Sequence, residues 1–172
     1  KRYSDVLYSV MLGGRPAFLY VLLEHQSTVD SRMPFRLLKY MVRIWDDWVV
    51  ANPEAVALPV IVPVVVHHSP TGWTAPVGFE DMFDLSDELR RSLGDHIPRL
   101  RFVLDDVSRL GDEALRSRAM TAFGRVVLVS LRDSRNGDEL LRRLAAWADL
   151  IREVARSPGG RDALAAFARY IH

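Results

Sequence analysis

The sequence predicts an α/β domain built on a mixed sheet flanked by helices, followed by a helical C-terminal part. Three observations carry that reading. Two apolar runs, 3–12 and 17–27, flank the turn signal Gly13-Gly14-Arg15-Pro16 and predict a hairpin. Apolar residues then recur at helical spacing over 31–50, at Leu38, Met41, Trp45 and Trp48. The run "LPVIVPVVVHHS" (58–69) is apolar at nearly every position, as expected of a buried strand in an α/β sheet.

Each element has its own local reason. Asp30 or Ser31 suits the start of the first helix, Pro34 fits its first turn, and Ala51-Asn52-Pro53-Glu54 stops it. Pro63 cannot donate to a ladder, so the 58–69 strand needs a bulge or an edge at that point. Residues 86–94 predict a short helix and "LRFVLDDVS" (100–108) a further strand. Beyond these the chain reads as helical over 112–132, 138–157 and 161–171. Leu140, Leu144, Trp147, Ile151 and Val154 form one stripe of the second of these. The domain boundary falls near 110, with a core over 1–110 and a helical region over 111–172.

Composition excludes several classes. Of 172 residues, 49% are apolar, enough for a substantial core, and the net charge of +1 announces no polyanion partner. There is no cysteine, so disulfide scaffolds, thiol nucleophiles and Cys-ligated zinc are ruled out. The longest apolar run, Leu58 to Val66, is too short to span a bilayer, so no membrane role is expected. A cytoplasmic location fits these features. The chain starts without methionine and inside a strand, as a piece of a longer protein would.

The chemistry concentrates in "YVLLEHQS" (20–27), where an apolar strand ends in Glu24, His25 and Gln26. With a four-residue turn at 13–16, Asp5 faces Glu24 directly; with a two-residue turn the two stay on one face, shifted by one pair; a three-residue turn would put them on opposite faces. Gln26 shares that face. Carboxylates brought together need solvent, a shared proton or a cation to offset their repulsion. A hard divalent ion such as magnesium takes oxygen ligands of this kind.

The segments "DVLYSV", "LYVLLEHQS", "MPFRLLKYMVRIWDDW" and "LPVIVPVVVHH" resemble the recombination-promoting nucleases, also described as YhgA-like transposases, within the PD-(D/E)XK nuclease superfamily. The resemblance implies a restriction-endonuclease-like fold and magnesium-dependent cleavage of DNA, with manganese as the substitute ion. It makes Asp5 and Glu24 metal ligands, adds the carbonyl of His25, and puts Gln26 where most of the superfamily has a water-orienting lysine. It also implies an acidic helix upstream of the first strand, which this sequence does not contain. The lysine-to-glutamine change motivates an alternative, a nuclease fold retained for DNA binding or assembly after loss of its chemistry.

Arg36 and Tyr40, one helical turn apart, resemble a Gln-x-x-x-Tyr motif of related nucleases, and with Lys39 they are candidate phosphate contacts. Other polar groups read as structural. His67 and His68 are adjacent on a strand and point apart, and Asp105-Asp106 reads as surface for the same reason. Trp45 and Trp48 read as core. The C-terminal stripe packs on the sheet or its neighbouring helices, with a homodimer seam as the sharper alternative.

Overall fold

A computed structural model describes residues 4–24, 29–133, 142 and 144–171. The chain divides into two compact units, Lys1–Asp106 and Val107–His172. The first unit holds one sheet of four strands in the order β1-β2-β3-β4: β1 (Ser4–Leu12), β2 (Arg15–Glu24), β3 (Val60–His67) and β4 (Val103–Asp106). β1 runs antiparallel to β2, while β2, β3 and β4 are mutually parallel. The sheet is therefore mixed.

The hairpin closes on two residues. Gly13 and Gly14 both have positive φ, 56° and 77°, the conformation that a tight hairpin turn demands at both central positions and that glycine adopts without strain. Leu12 pairs with Arg15, and the register runs back to Asp5 opposite Leu22. Pro16 thus belongs to the strand, and the four-residue turn considered from the sequence is not formed.

Helix α1 (Met33–Ala51) links β2 to β3. Asp30 prepares its start: its carboxylate accepts from the Arg32 N–H at 2.9 Å, and Pro34 sits in the first turn. At the far end the Asn52 side chain donates to the Trp48 carbonyl. Met33, Leu37 and Met41, four residues apart, form the buried face. They pack with Tyr20, Leu22, Ile61, Val65 and Phe102 into one core. Fully burying a side chain such as Leu22 or Leu37 contributes roughly 1.5–3 kcal/mol each. Trp45 and Trp48 are part of this packing: the Trp45 indole donates to the Pro59 carbonyl at 2.9 Å, and Trp48 meets Phe18 edge to face.

The run at 58–69 is buried along one side, and on the other only at its end, where Val66 is buried too. Ile61, Pro63, Val65 and His67 alternate inward under α1, whereas Val60 is 59% exposed and Val62 and Val64 are half-buried. Its proline is tolerated because β4 pairs only with Val64–His67, so at Pro63 the strand has β2 alone as its neighbour.

The span from 68 to 102 holds a loop, two short 3₁₀ turns (Glu80–Met82 and Gly94–His96) and helix α2 (Asp87–Leu93). The Ser86 hydroxyl caps α2 by accepting from the Leu89 N–H.

The second unit contains α3 (Asp112–Arg116), α4 (Ala122–Asp133), α5 (Ala148–Arg156) and α6 (Gly160–Ile171). The single helix expected over 112–132 is two helices. The Thr121 hydroxyl accepts from the Gly124 N–H, a capping contact that restarts the helix after the break. The expected opening of the next helix at Asp138, and Leu140 of its stripe, lie outside the described residues. Trp147 and Val154 of the stripe are buried within this unit, together with Leu150. Arg132 ties the unit together: its guanidinium meets Asp112 and Asp133, each at 2.7 Å, and donates to the Leu110 carbonyl. Among the described residues no helix is long and apolar enough to cross a membrane.

Candidate metal centre at the end of the sheet

Each of the three parallel strands ends its apolar run in a polar group. β2 ends Leu22-Leu23-Glu24, β3 ends Val65-Val66-His67, and β4 ends Leu104-Asp105-Asp106. The register aligns them: Glu24 pairs with His67, and His67 with Asp106. Residues paired in register share a face of the sheet. Leu22, Val65 and Leu104 form the preceding row, on the α1 side. Glu24, His67 and Asp106 therefore follow two residues later on that same side, beyond the apolar core. Carboxyl ends of parallel strands are where open α/β sheets place their ligands.

Asp5 joins this edge from the antiparallel strand. It pairs with Leu22, so it lies on the α1 face, one pair away from Glu24. Diagonal neighbours of this kind are about 7–8 Å apart along the backbone, farther than direct opposition. Asp5 and Glu24 are placed here by backbone register alone. His25 and Gln26, the other residues expected in the site, lie outside the described residues. Among the described residues no group of three or more acidic or histidine side chains is gathered as a metal cage.

His67 and Asp106 are the parts of this edge that sequence reasoning treated otherwise. His67 is completely buried, and its ring meets Trp73 edge to face at 4.9 Å. Asp106, read as a surface residue, is half-buried, and its Oδ2 accepts from the Trp73 backbone N–H at 2.7 Å. The Trp73 indole in turn donates to the Ala75 carbonyl and lies edge-on to Phe102. The loop after β3 is thus pinned beside the strand ends by one tryptophan. Asp105 and Asp106 do diverge as expected; the consequence is that one of them turns toward the α1 side. The signal that would have found them is the shared ending of the three apolar runs.

The helix residues proposed for phosphate contact have separate environments. The Arg36 Nη1 pairs with Asp30 at 2.8 Å, and its side chain is mostly buried. Tyr40 packs on the core, its ring 6.0 Å from that of Tyr20. Lys39 is exposed, with its ammonium 5.9 Å from the Phe35 ring.

Comparison with known proteins completes the picture. Residues 1–159 match the family described as "Putative transposase, YhgA-like". Two Escherichia coli K12 proteins are 36% identical to parts of the chain: recombination-promoting nuclease RpnC over 51% of this chain and 29% of its own length, and RpnA over 38% and 22%. The inactive recombination-promoting nuclease-like protein RpnE of the same strain is 27% identical over 76% of this chain and 42% of its own. The chain thus spans less than half the length of each of these relatives. No solved structure matches it. By its sequence from end to end of the matched segment, the chain belongs to the YhgA-like family, whose relatives include the recombination-promoting nucleases.

Proposed function

We propose that this chain carries the core of a divalent-metal-dependent DNA endonuclease with a restriction-endonuclease-like sheet. The observation that carries the reading is the common face of Asp5 and Glu24 at the end of the strands, reached through a two-residue turn. The donor set fits magnesium, or manganese in its place: hard carboxylate oxygens, with the carbonyl of His25 as a third. When bound, such an ion neutralises charge on a phosphodiester and activates water.

The chain's own residues would divide the remaining tasks. Gln26 would orient the attacking water through its amide, without the charge a lysine supplies. Lys39 is an exposed cation on α1 and suits a backbone phosphate. Arg36, bound to Asp30, would hold the helix start and contact phosphate only by sharing its fork. Tyr40 would steady the helix against β2 through Tyr20. The test is degradation of plasmid DNA in magnesium by the wild type and by Asp5→Ala and Glu24→Ala variants. Undiminished cleavage by both folded variants removes the assignment.

A second reading has its own support. RpnE, whose match covers the largest share of this chain among these three relatives, bears an inactive name, and Gln26 stands in place of the expected lysine. On that reading the fold binds DNA or assembles without cleaving. Binding of DNA with no magnesium-dependent cleavage, and no ion binding that depends on Glu24, would favour it.

A further inference from the structure

The first unit carries a line of exposed rings and cations that the candidate metal centre does not use. It starts on the outer face of α1. Phe35 is 46% exposed, although a phenyl ring gains by burial. The ring is nonetheless fixed: it stacks on Phe79, with centroids 6.3 Å apart and planes 18° from parallel. One helical turn on, the exposed Lys39 ammonium lies 5.9 Å from the same ring. Phe79 in turn meets Phe83 edge to face at 5.3 Å, and Phe83 is 38% exposed.

The line continues into a patch of guanidinium groups. Arg90, in the last turn of α2, donates to the carbonyls of Glu80 and Phe83, which fixes its head beside Phe83. Arg91 donates to the Asp87 carbonyl one turn back, and Arg99 meets Asp95 only at 3.9 Å, both side chains being exposed. With Asp87 and Gly94 these three arginines line a cavity of about 630 Å³, where three positive charges face one negative charge. Glu80 and Asp81, in the turn before, are engaged by Arg101.

We infer that this line is a track for a single nucleic-acid strand: Phe35 and Phe83 offer exposed rings to unpaired bases, and Lys39 with the Arg90, Arg91 and Arg99 patch takes the phosphates. This rests on the reading above that DNA is the substrate, and sharpens it by naming the form of DNA held; it needs no metal. Aromatic side chains interleaved with cations hold a strand through base stacking and backbone charge, whatever its sequence. A duplex covers its base faces by stacking and presents phosphates and base edges, so exposed rings gain little from it. The plainer account makes the rings a packing cluster between α1 and the 79–83 turn, Lys39 a stem laid over Phe35, and the arginines caps on the carbonyl end of α2. It explains the contacts, but not why two of the three rings stay exposed between cations.

Fluorescence anisotropy separates the two accounts. The whole chain is titrated, in EDTA to prevent cleavage, against a labelled mixed-sequence strand of about 20 nucleotides, longer than one such track needs. The duplex of that strand is the second probe. The variants are Phe35→Leu, Phe83→Leu, Arg91→Gln combined with Arg99→Gln, and Arg152→Gln, with folding checked by thermal melts. Leucine keeps apolar bulk and removes the ring. Arg152 is an exposed arginine of the second unit and reports what the loss of one charge does by itself.

The single strand should bind more tightly than the duplex. Phe35→Leu should weaken strand binding at least about 5-fold, the low end of what one stacked base contributes, and leave duplex binding unchanged. Phe83→Leu should act in the same direction. The arginine pair should flatten the salt dependence of strand binding, by about 0.7 in log–log slope for each charge lost. Arg152→Gln should leave that slope unchanged. Equal or tighter binding of the duplex by the wild type overturns the inference and leaves a DNA-binding protein standing. So does wild-type strand affinity in folded Phe35→Leu, or an equal loss on both probes. If Phe35→Leu does not fold, Phe83→Leu decides by the same criteria. A slope flattened no more by the arginine pair than by Arg152→Gln makes the patch a helix cap and overturns the track. No binding of either probe removes the DNA reading and this inference with it. Strand preference without cleavage in magnesium keeps the track and rejects the nuclease.

Discussion

Both units pair acidic groups with guanidinium groups, as Arg36 with Asp30 in the first, but the end of the first unit's sheet lines up acidic residues with no arginine or lysine in the row. In the second unit, acidic groups meet guanidinium groups: Arg132 joins Asp112 and Asp133, and Arg116 meets Asp149 at 2.8 Å while lying over the Trp147 ring. These contacts close on themselves and hold helices together. In the first unit the sheet brings Asp5, Glu24, His67 and Asp106 to one face at one end. Acidic residues dominate that row, and it lies just past the apolar core. A cluster balanced pair by pair is explained by folding alone. A row with a surplus of acidic residues carries a cost that a bound cation would offset.

The largest expected effect tests the first half of this contrast. Asp5→Ala or Glu24→Ala should lower magnesium-dependent cleavage by at least about 100-fold, because metal-ion stabilisation is worth several kcal/mol. In metal-free buffer the same variants should melt no lower than wild type, since each removes a like-charged neighbour. A large loss of thermal stability together with activity would break the contrast, making these residues structural.

Trp147→Ala tests the other half. Trp147 is fully buried in the second unit, and truncating such a side chain costs about 3–5 kcal/mol. Urea unfolding should show that loss, while Glu24-dependent manganese binding by the remaining folded protein is retained. Loss of the metal site in folded protein would show that the two units do not divide the work.

Arg132→Met should cost about 3 kcal/mol by the same measurement. Its side chain is only 9% exposed, so the substitution leaves Asp112 and Asp133 together without the cation between them. A neutral outcome would mean that the pair of carboxylates relaxes into solvent.

The smallest effect is pH-dependent. The Arg116 guanidinium, hydrogen-bonded to Asp149, holds that carboxyl down at about 2. The unfolded chain releases the same proton near the ordinary value of about 4. The contribution is therefore present above pH about 4 and lost as the pH falls toward 2. Asp149 is exposed, so solvent and salt screen it. Asp149→Asn should flatten that part of the acid melting profile slightly, and the difference should shrink in high salt. An unchanged profile would mean the pair exerts no measurable hold.

Much of this architecture was legible before any coordinates. The hairpin, α1, the β3 run and the helical C-terminal part each follow from local patterns: alternation, helical spacing, a cap or a Gly-Gly turn. The polar ending of β2 was legible too, because Glu24 closes the apolar run from Ala17 to Leu23. Element ends were less so. The helix expected over 112–132 breaks where Thr121 offers a competing local hydrogen bond, and only part of 100–108 pairs as β4.

The sequence by itself determined the residue types at the candidate centre and the secondary structure that carries them, because propensity and periodicity act over a few neighbours. Tertiary structure alone decided which residues stand together. Turn length set Asp5 opposite Leu22, and the parallel pairing of strands distant in sequence set His67 between Glu24 and Asp106. Register is a property of two strands at once, and a shift of one residue turns every side chain to the other face.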